Sequence, residues 1–223
     1  ARDLQDRPLL AQQVGDERLV AATVPSCGWT TIKPAEEVEA EAGDALIVTD
    51  RTLENLLVRV TLNDLGEITS IFDKQQRREL LSGVGNRFHL YKDVPTRFDA
   101  WDIDSMYDQA PVPLREPATV EIATSGPLAG TLRVTRSLHE STLTQEITLY
   151  RDSRRIDFAT EIDWQERHKL LKVEFPVDIH TNEALHEIQF GHLARPNHRS
   201  RPYDADRFEV ANHKWTALVE GNR

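Results

Sequence analysis

The sequence predicts an all-β protein built as an antiparallel β-sandwich, on three observations. Apolar and polar residues alternate at period two in at least four segments, turn residues separate those segments, and no stretch sustains the roughly 3.6-residue period of an amphipathic helix. A half-buried antiparallel strand has one wet and one dry face, and each dry face needs a partner sheet.

The elements follow in chain order. Leu19 to Val24 and Ala45 to Val48 are strand-like, whereas Lys33 to Asp44 is an acidic run interrupted by Pro34 and Gly43. Residues 1–50 are expected to be the end of a smaller β-domain and its linker, and residues 51–223 the sandwich. Asn63-Asp64-Leu65-Gly66 supplies a turn between Leu57–Leu62 and Glu67–Asp73. Lys74 to Ser82 is expected to form a short helix or an irregular turn. Leu132–Leu138 and Leu143–Tyr150 are two strands of a hairpin connected by His139-Glu140-Ser141-Thr142. Ile156, Phe158, Ile162 and Trp164 mark one dry face. Leu171, Val173, Phe175, Val177 and Ile179 mark another. Lys92 to Pro117 is too long to be mere connection and is expected to cover a functional surface or an interface. The chain opens at Ala1 without an initiator methionine and closes on a strand-like run that has just reached a turn, which reads as part of something longer.

The 223 residues suffice for one large domain, or for one domain and part of another. With 27 Lys and Arg against 37 Asp and Glu, the formal net charge of -10 repels phosphate backbones and anionic bilayers, so neither nucleic acid nor a membrane is an expected partner. No apolar run approaches the ~20 residues of a membrane span. A single cysteine, Cys27, leaves no internal disulfide and is compatible with a reducing, cytoplasmic setting.

Candidate chemistry concentrates in two places. Phe98 to Asp104 reads FDAWDID, where Asp99, Trp101 and Asp102 combine carboxylates with an indole face, as a sugar-binding or acid/base site requires. The same residues also fit a turn, with aspartates accepting backbone N–H bonds and Trp101 anchored in a core. The second place is His192, Arg195 and His198, a polar cluster suited to contact sugar hydroxyls or an adjoining domain, or else to form a solvated loop. His186 and His192, placed on one strand, lie ~20 Å apart at ~3.3 Å per residue, too far to share a metal ion. Glycine-rich phosphate loops, nucleophile elbows and paired C-x-x-C motifs are absent from the sequence.

Several segments, taken in order, resemble glycoside hydrolase family 38, the α-mannosidases, in its cytosolic and bacterial branch. They are Glu54 to Val60, Gly66 to Lys74 with Arg78-Glu79, Gly85 to Tyr91, Asp99 to Ile103, Lys172 to Val177, Glu187 to Leu193 with Arg195-Pro196 and His198, and Arg207 to Val210 with His213 and Trp215. The resemblance implies a mutarotase-like supersandwich and, for the complete protein, a retaining, zinc-dependent hydrolase of terminal α-mannosides. It also implies that the nucleophile and the zinc ligands lie outside this chain, mostly in an N-terminal catalytic domain, with one more ligand histidine near a helical region that follows it. A mannose-containing oligosaccharide and that catalytic domain are the expected partners, together with packing between copies of the chain. The chain departs from the family at Arg201 to Asp206, where relatives commonly carry a tryptophan-rich stretch. The alternative is a non-catalytic carbohydrate-binding or interaction module with Trp101 as its sugar platform.

Overall fold

A computed structural model describes residues 1–34, 46–99, 101–114 and 116–221. The acidic run expected at Lys33 to Asp44 falls almost wholly outside the described residues.

The architecture is antiparallel β. The first hairpin, β1 (Ala11–Val14) with β2 (Glu17–Val20), is a sheet of its own. The strand expected through Val24 thus ends at Val20. A five-stranded sheet follows in the order β3 (Ile47–Val48), β4 (Thr52–Glu54), β5 (Val58–Leu62), β6 (Ile68–Asp73) and β7 (Arg78–Glu79). β8 (Arg87–Lys92) stands between β14 (Lys169–Glu174) and β9 (Pro111–Val112) in a three-stranded sheet. A four-stranded sheet runs β10 (Thr119–Ser125), β11 (Ala129–Leu138), β12 (Ser141–Tyr150) and β13 (Ile156–Asp163). β15 (Glu183–Ile188) lies between β16 (Gly191–Pro196) and β17 (Thr216–Leu218). Two short 3₁₀ turns, η1 (Tyr107–Gln109) and η2 (Pro202–Arg207), break the loops.

The sandwich forms where the five-stranded and four-stranded sheets face each other. Val58, Val60 and Leu62 on β5 alternate with Arg59 and Thr61, and the inward set packs with Leu53 and Ile68 against Leu132, Val134, Ile147 and Leu149 from β11 and β12. Removing these side chains from water drives the association of the two layers. Turn chemistry fixes the register. Asn63 Oδ1 accepts the N–H groups of Leu65 and Glu67 at 2.9 and 3.0 Å, and Gly66 takes φ +67°. Between β11 and β12 only His139 and Glu140 turn the chain, with Leu138 paired to Ser141. Asp73 Oδ1 accepts from Gln75 and Gln76 N–H, so Lys74 to Arg77 is an irregular turn that leads into β7.

The N-terminal hairpin docks on this body through Gln12. Its amide donates to the Ala129 carbonyl and accepts the Leu128 and Ala129 N–H groups, all at 2.7–2.8 Å.

The dry face expected from Leu171 to Ile179 is not one continuous strand. β14 stops at Glu174, because Pro176 has no N–H to give the ladder. The chain then crosses to β7, where Pro176 and Leu80 carbonyls accept from Ser82 and Asp178 N–H at 2.9 Å, and Val177 joins the sandwich core. Val173 and Phe175 stay 50% and 40% exposed. With Phe88, Phe158, Ile162 and Leu171 they line an open, mostly apolar groove between β13 and β14.

Candidate functional site

The polar face of β8 and β14 carries a connected network of side chains. Their register sets His89 opposite Lys172 and Arg87 opposite Glu174, while Leu90 and Leu171 pair on the opposite face. His89 Nε2 lies 2.8 Å from Glu174 Oε2. Lys172 Nζ donates to Glu209 Oε1 at 2.5 Å and to the Tyr107 hydroxyl, and it sits 4.4 Å from the centre of the Tyr107 ring. Tyr107, supplied by η1, meets Tyr91 edge-on at 5.1 Å and Phe208 at 5.9 Å.

Electrostatics fix the roles these groups can take. Burial pushes the Lys172 ammonium down, but hydrogen bonds to Glu209 and Tyr107 outweigh it and hold the pKa above its ordinary value. Lys172 is therefore a fixed cation at neutral pH rather than a base. Burial, helped by the neighbouring Tyr107, raises Tyr91, which stays a neutral phenol able to donate or accept a hydrogen bond. The arrangement presents hydrogen-bonding groups around a lysine already paired with Glu209.

Phe208 also lines a neighbouring cleft of about 590 Å³. Arg195, His198, Arg199 and Arg207 wall it, with Asp204 as the opposing charge, so this surface is basic in a chain of net charge -10. Arg195 Nη1 donates to the Ala211 carbonyl at 2.9 Å, and His198 Nδ1 is 2.9 Å from Ser200 Oγ. Asp204 is buried in η2, where hydrogen bonding by the Arg201 side chain holds its carboxyl below the ordinary value.

The structure thus brings Arg195 and His198 into one cleft but leaves His192 outside its walls. Glu187 pairs with His192 and Ile188 with Gly191, so the segment expected as a single strand is a hairpin turning at Gln189-Phe190, with Phe190 at φ 63°. His186 is buried on β15 with its Nδ1 3.1 Å from the Ala184 carbonyl oxygen. The His192 ring instead meets Trp215 at 6.1 Å.

Asp99, Trp101 and Asp102 lie on the exposed loop between β8 and β9. Phe98 adopts φ 58°, and its carbonyl accepts the N–H groups of Trp101 and Asp102 at 2.8 and 3.0 Å. The backbone is therefore a tight turn. The alternative of Trp101 buried in a core does not hold, since its side chain is 93% exposed. Asp99 Oδ2 lies 3.9 Å from His168 Nδ1. Sequence reasoning missed the Lys172–Tyr107–Glu209 contact, although Lys172 and Glu209 both stand in segments with family character. Period-two reading assigns Lys172 only to a wet face and says nothing of what covers that face.

Comparison with known proteins agrees with this architecture. Residues 53–223 match the glycosyl hydrolases family 38 C-terminal domain. The chain is 36% identical to Alpha-mannosidase 2C1 of Homo sapiens over 216 residues, covering 92% of this chain and 21% of that protein. It is 34% identical to Alpha-mannosidase G of Dictyostelium discoideum over 194 residues, covering 83% and 17%. An alpha-mannosidase from Enterococcus faecalis V583 superposes with a TM-score of 0.55 at 15% identity, over 69% of this chain and 21% of that one, which supports the fold. The chain spans about a fifth of the length of the curated relatives it matches. With the family's C-terminal domain matched from Leu53 to the last residue, this chain belongs to glycosyl hydrolase family 38.

Proposed function

We propose that the chain is the C-terminal β-region of a retaining, zinc-dependent α-mannosidase of the cytoplasm. The complete protein hydrolyses terminal α-mannosides of mannose-containing oligosaccharides, and its catalytic domain lies outside this chain. The family match over residues 53–223, in a chain one-fifth the length of its mannosidase relatives, carries the reading. Residues 1–50 are then the end of a smaller β-domain, in keeping with the separate sheet of β1 and β2. In this reading Asp99, Trp101 and Asp102 face the catalytic domain, and Arg195 and His198 line a cleft on its substrate side, with His192 beside it.

The described residues do not themselves fit a zinc ion, because no group of three His, Cys, Asp or Glu side chains among them is placed to hold one. The contribution of this chain is scaffold and surface: Lys172 pins η1 and the η2 segment to β14, and this holds the cleft in shape.

Assay with an aryl α-mannoside tests the proposal. The 223-residue chain is expected to give no turnover with or without added zinc, and the longer protein that contains it to be active and to lose activity on chelation. Turnover by the 223-residue chain that Asp99→Asn or Asp102→Asn abolishes overturns the assignment and makes the loop catalytic. A carbohydrate-binding module is favoured by one observation, the open indole of Trp101 beside two carboxylates. Quenching of tryptophan fluorescence by mannose in the isolated chain, lost on Trp101→Ala, selects it.

A further inference from the structure

A second cavity, of about 290 Å³, opens between the β8–β9 pair and the end of β11, and Arg136 forms part of its wall. Arg136 is 8% exposed, with its guanidinium stacked 5.0 Å from the centre of the Phe88 ring. Of its five N–H groups, one has an acceptor among the described residues, Nη2 donating to the Leu65 carbonyl. Nε is buried without a partner. No ion pair to Arg136 forms among the described residues. Glu67 acts on it only through space, because that carboxylate accepts from Asn63 Nδ2 at 2.9 Å and lies 3.9 Å from Arg87 Nε. Burial pushes the Arg136 pKa below its ordinary value, yet a guanidinium keeps its proton in proteins. A buried cation whose counter-charge acts on it only through space, without a hydrogen-bonded pair, is costly, and a planar guanidinium pairs best with a carboxylate or similar planar anion.

We infer that this cavity is a binding site for a small monocarboxylate with a short apolar body, paired through its carboxylate to Arg136. Among the described wall residues Arg87 lies 3.9 Å from Glu67, which leaves Arg136 as the guanidinium without an ion pair, and one planar carboxylate is the partner such a group takes. Leu90, Val112 and Leu114 supply the apolar lining. The volume sits at the lower end for small-molecule pockets. The named wall residues all belong to this chain, and the inference does not rest on the proposed mannosidase activity.

Thermal unfolding of the 223-residue chain at fixed ionic strength tests the site with butyrate, butyramide and inorganic phosphate as probes. Butyrate is expected to raise Tm saturably. Butyramide, which has the same shape without the charge, is expected to bind at least about tenfold more weakly, and phosphate more weakly than butyrate. Arg136→Met, which removes the charge at similar volume, is expected to abolish the butyrate response. Should that variant not fold, Leu114→Trp fills the cavity without touching Arg136 and is expected to abolish the response as well. The inference fails if butyrate has no saturable effect, if butyramide matches it, if phosphate exceeds it, or if the response survives either substitution.

Discussion

Glu79 shows how a single side chain ties the switch between sheets to pH. Ser70 Oγ donates to its Oε2 at 2.5 Å, and the N–H groups of Ile71, Leu80 and Leu81 donate to Oε1 at 2.7–3.1 Å. Burial alone pushes this carboxyl up, but the four donors together outweigh it, and the pKa falls below the ordinary 4.5. A lowered folded-state pKa stabilises the fold fully above about 4.5, the unfolded value, and that stability is lost as pH falls through the lower folded value. Glu79→Gln is therefore expected to lower stability at neutral pH and to flatten its decline in acid. Urea unfolding from pH 7 downward reads both; parallel curves for the two proteins rule out the linkage. Nothing in the sequence around Arg78-Glu79 announces this role, because three of the four donors are backbone groups whose positions depend on how β6 meets β7. Trp101 was legible as a special residue but not as an exposed one, since composition cannot tell an anchor from a platform.

Strands with two covered faces or one sharply alternating face were legible, and β5, β11 and β12 follow their period-two pattern closely. β14 was not, because Pro176 transfers the chain from one sheet to another and leaves Val173 and Phe175 on an open groove. Alternation records which residues share a face, while burial depends on whether another layer covers it. The β5–β6 turn illustrates the legible case and its energetic consequence. A Cβ on Gly66 meets Val134 Cγ1 at 2.3 Å, and the residue already holds φ +67°. Gly66→Ala thus adds the strain of a left-handed side chain to a collision with a core residue, together about 2–4 kcal/mol. Denaturant titration is expected to register that loss, and combining Gly66→Ala with Val134→Ala to recover the collision part after allowing for the Val134→Ala cavity. Strict additivity of the two substitutions shows instead that the turn does not press on β11.

At the scale of the whole molecule, packing and function make opposite demands on two residues. Ile147 is fully buried where the two large sheets meet, so Ile147→Ala is expected to cost about 2–5 kcal/mol in the isolated chain and in the longer protein alike. Trp101 is 93% exposed, and its backbone N–H donates to the Phe98 carbonyl within the turn. Trp101→Ala is accordingly expected to change the stability of the isolated chain by no more than about 0.5 kcal/mol. If the indole is the anchor of a contact with the catalytic domain, its truncation in the longer protein removes an interface tryptophan, for which a loss of about 2 kcal/mol or more is typical. That loss is expected to appear as lower mannosidase turnover and a lower Tm of the longer protein, with Asp99→Asn and Asp102→Asn giving smaller effects. Urea unfolding of the isolated variants beside turnover of the longer ones separates the two demands. Full activity in the longer Trp101→Ala protein removes the docking role and leaves FDAWDID as a solvated turn. Lost stability in the isolated chain instead means that the loop packs on its own domain.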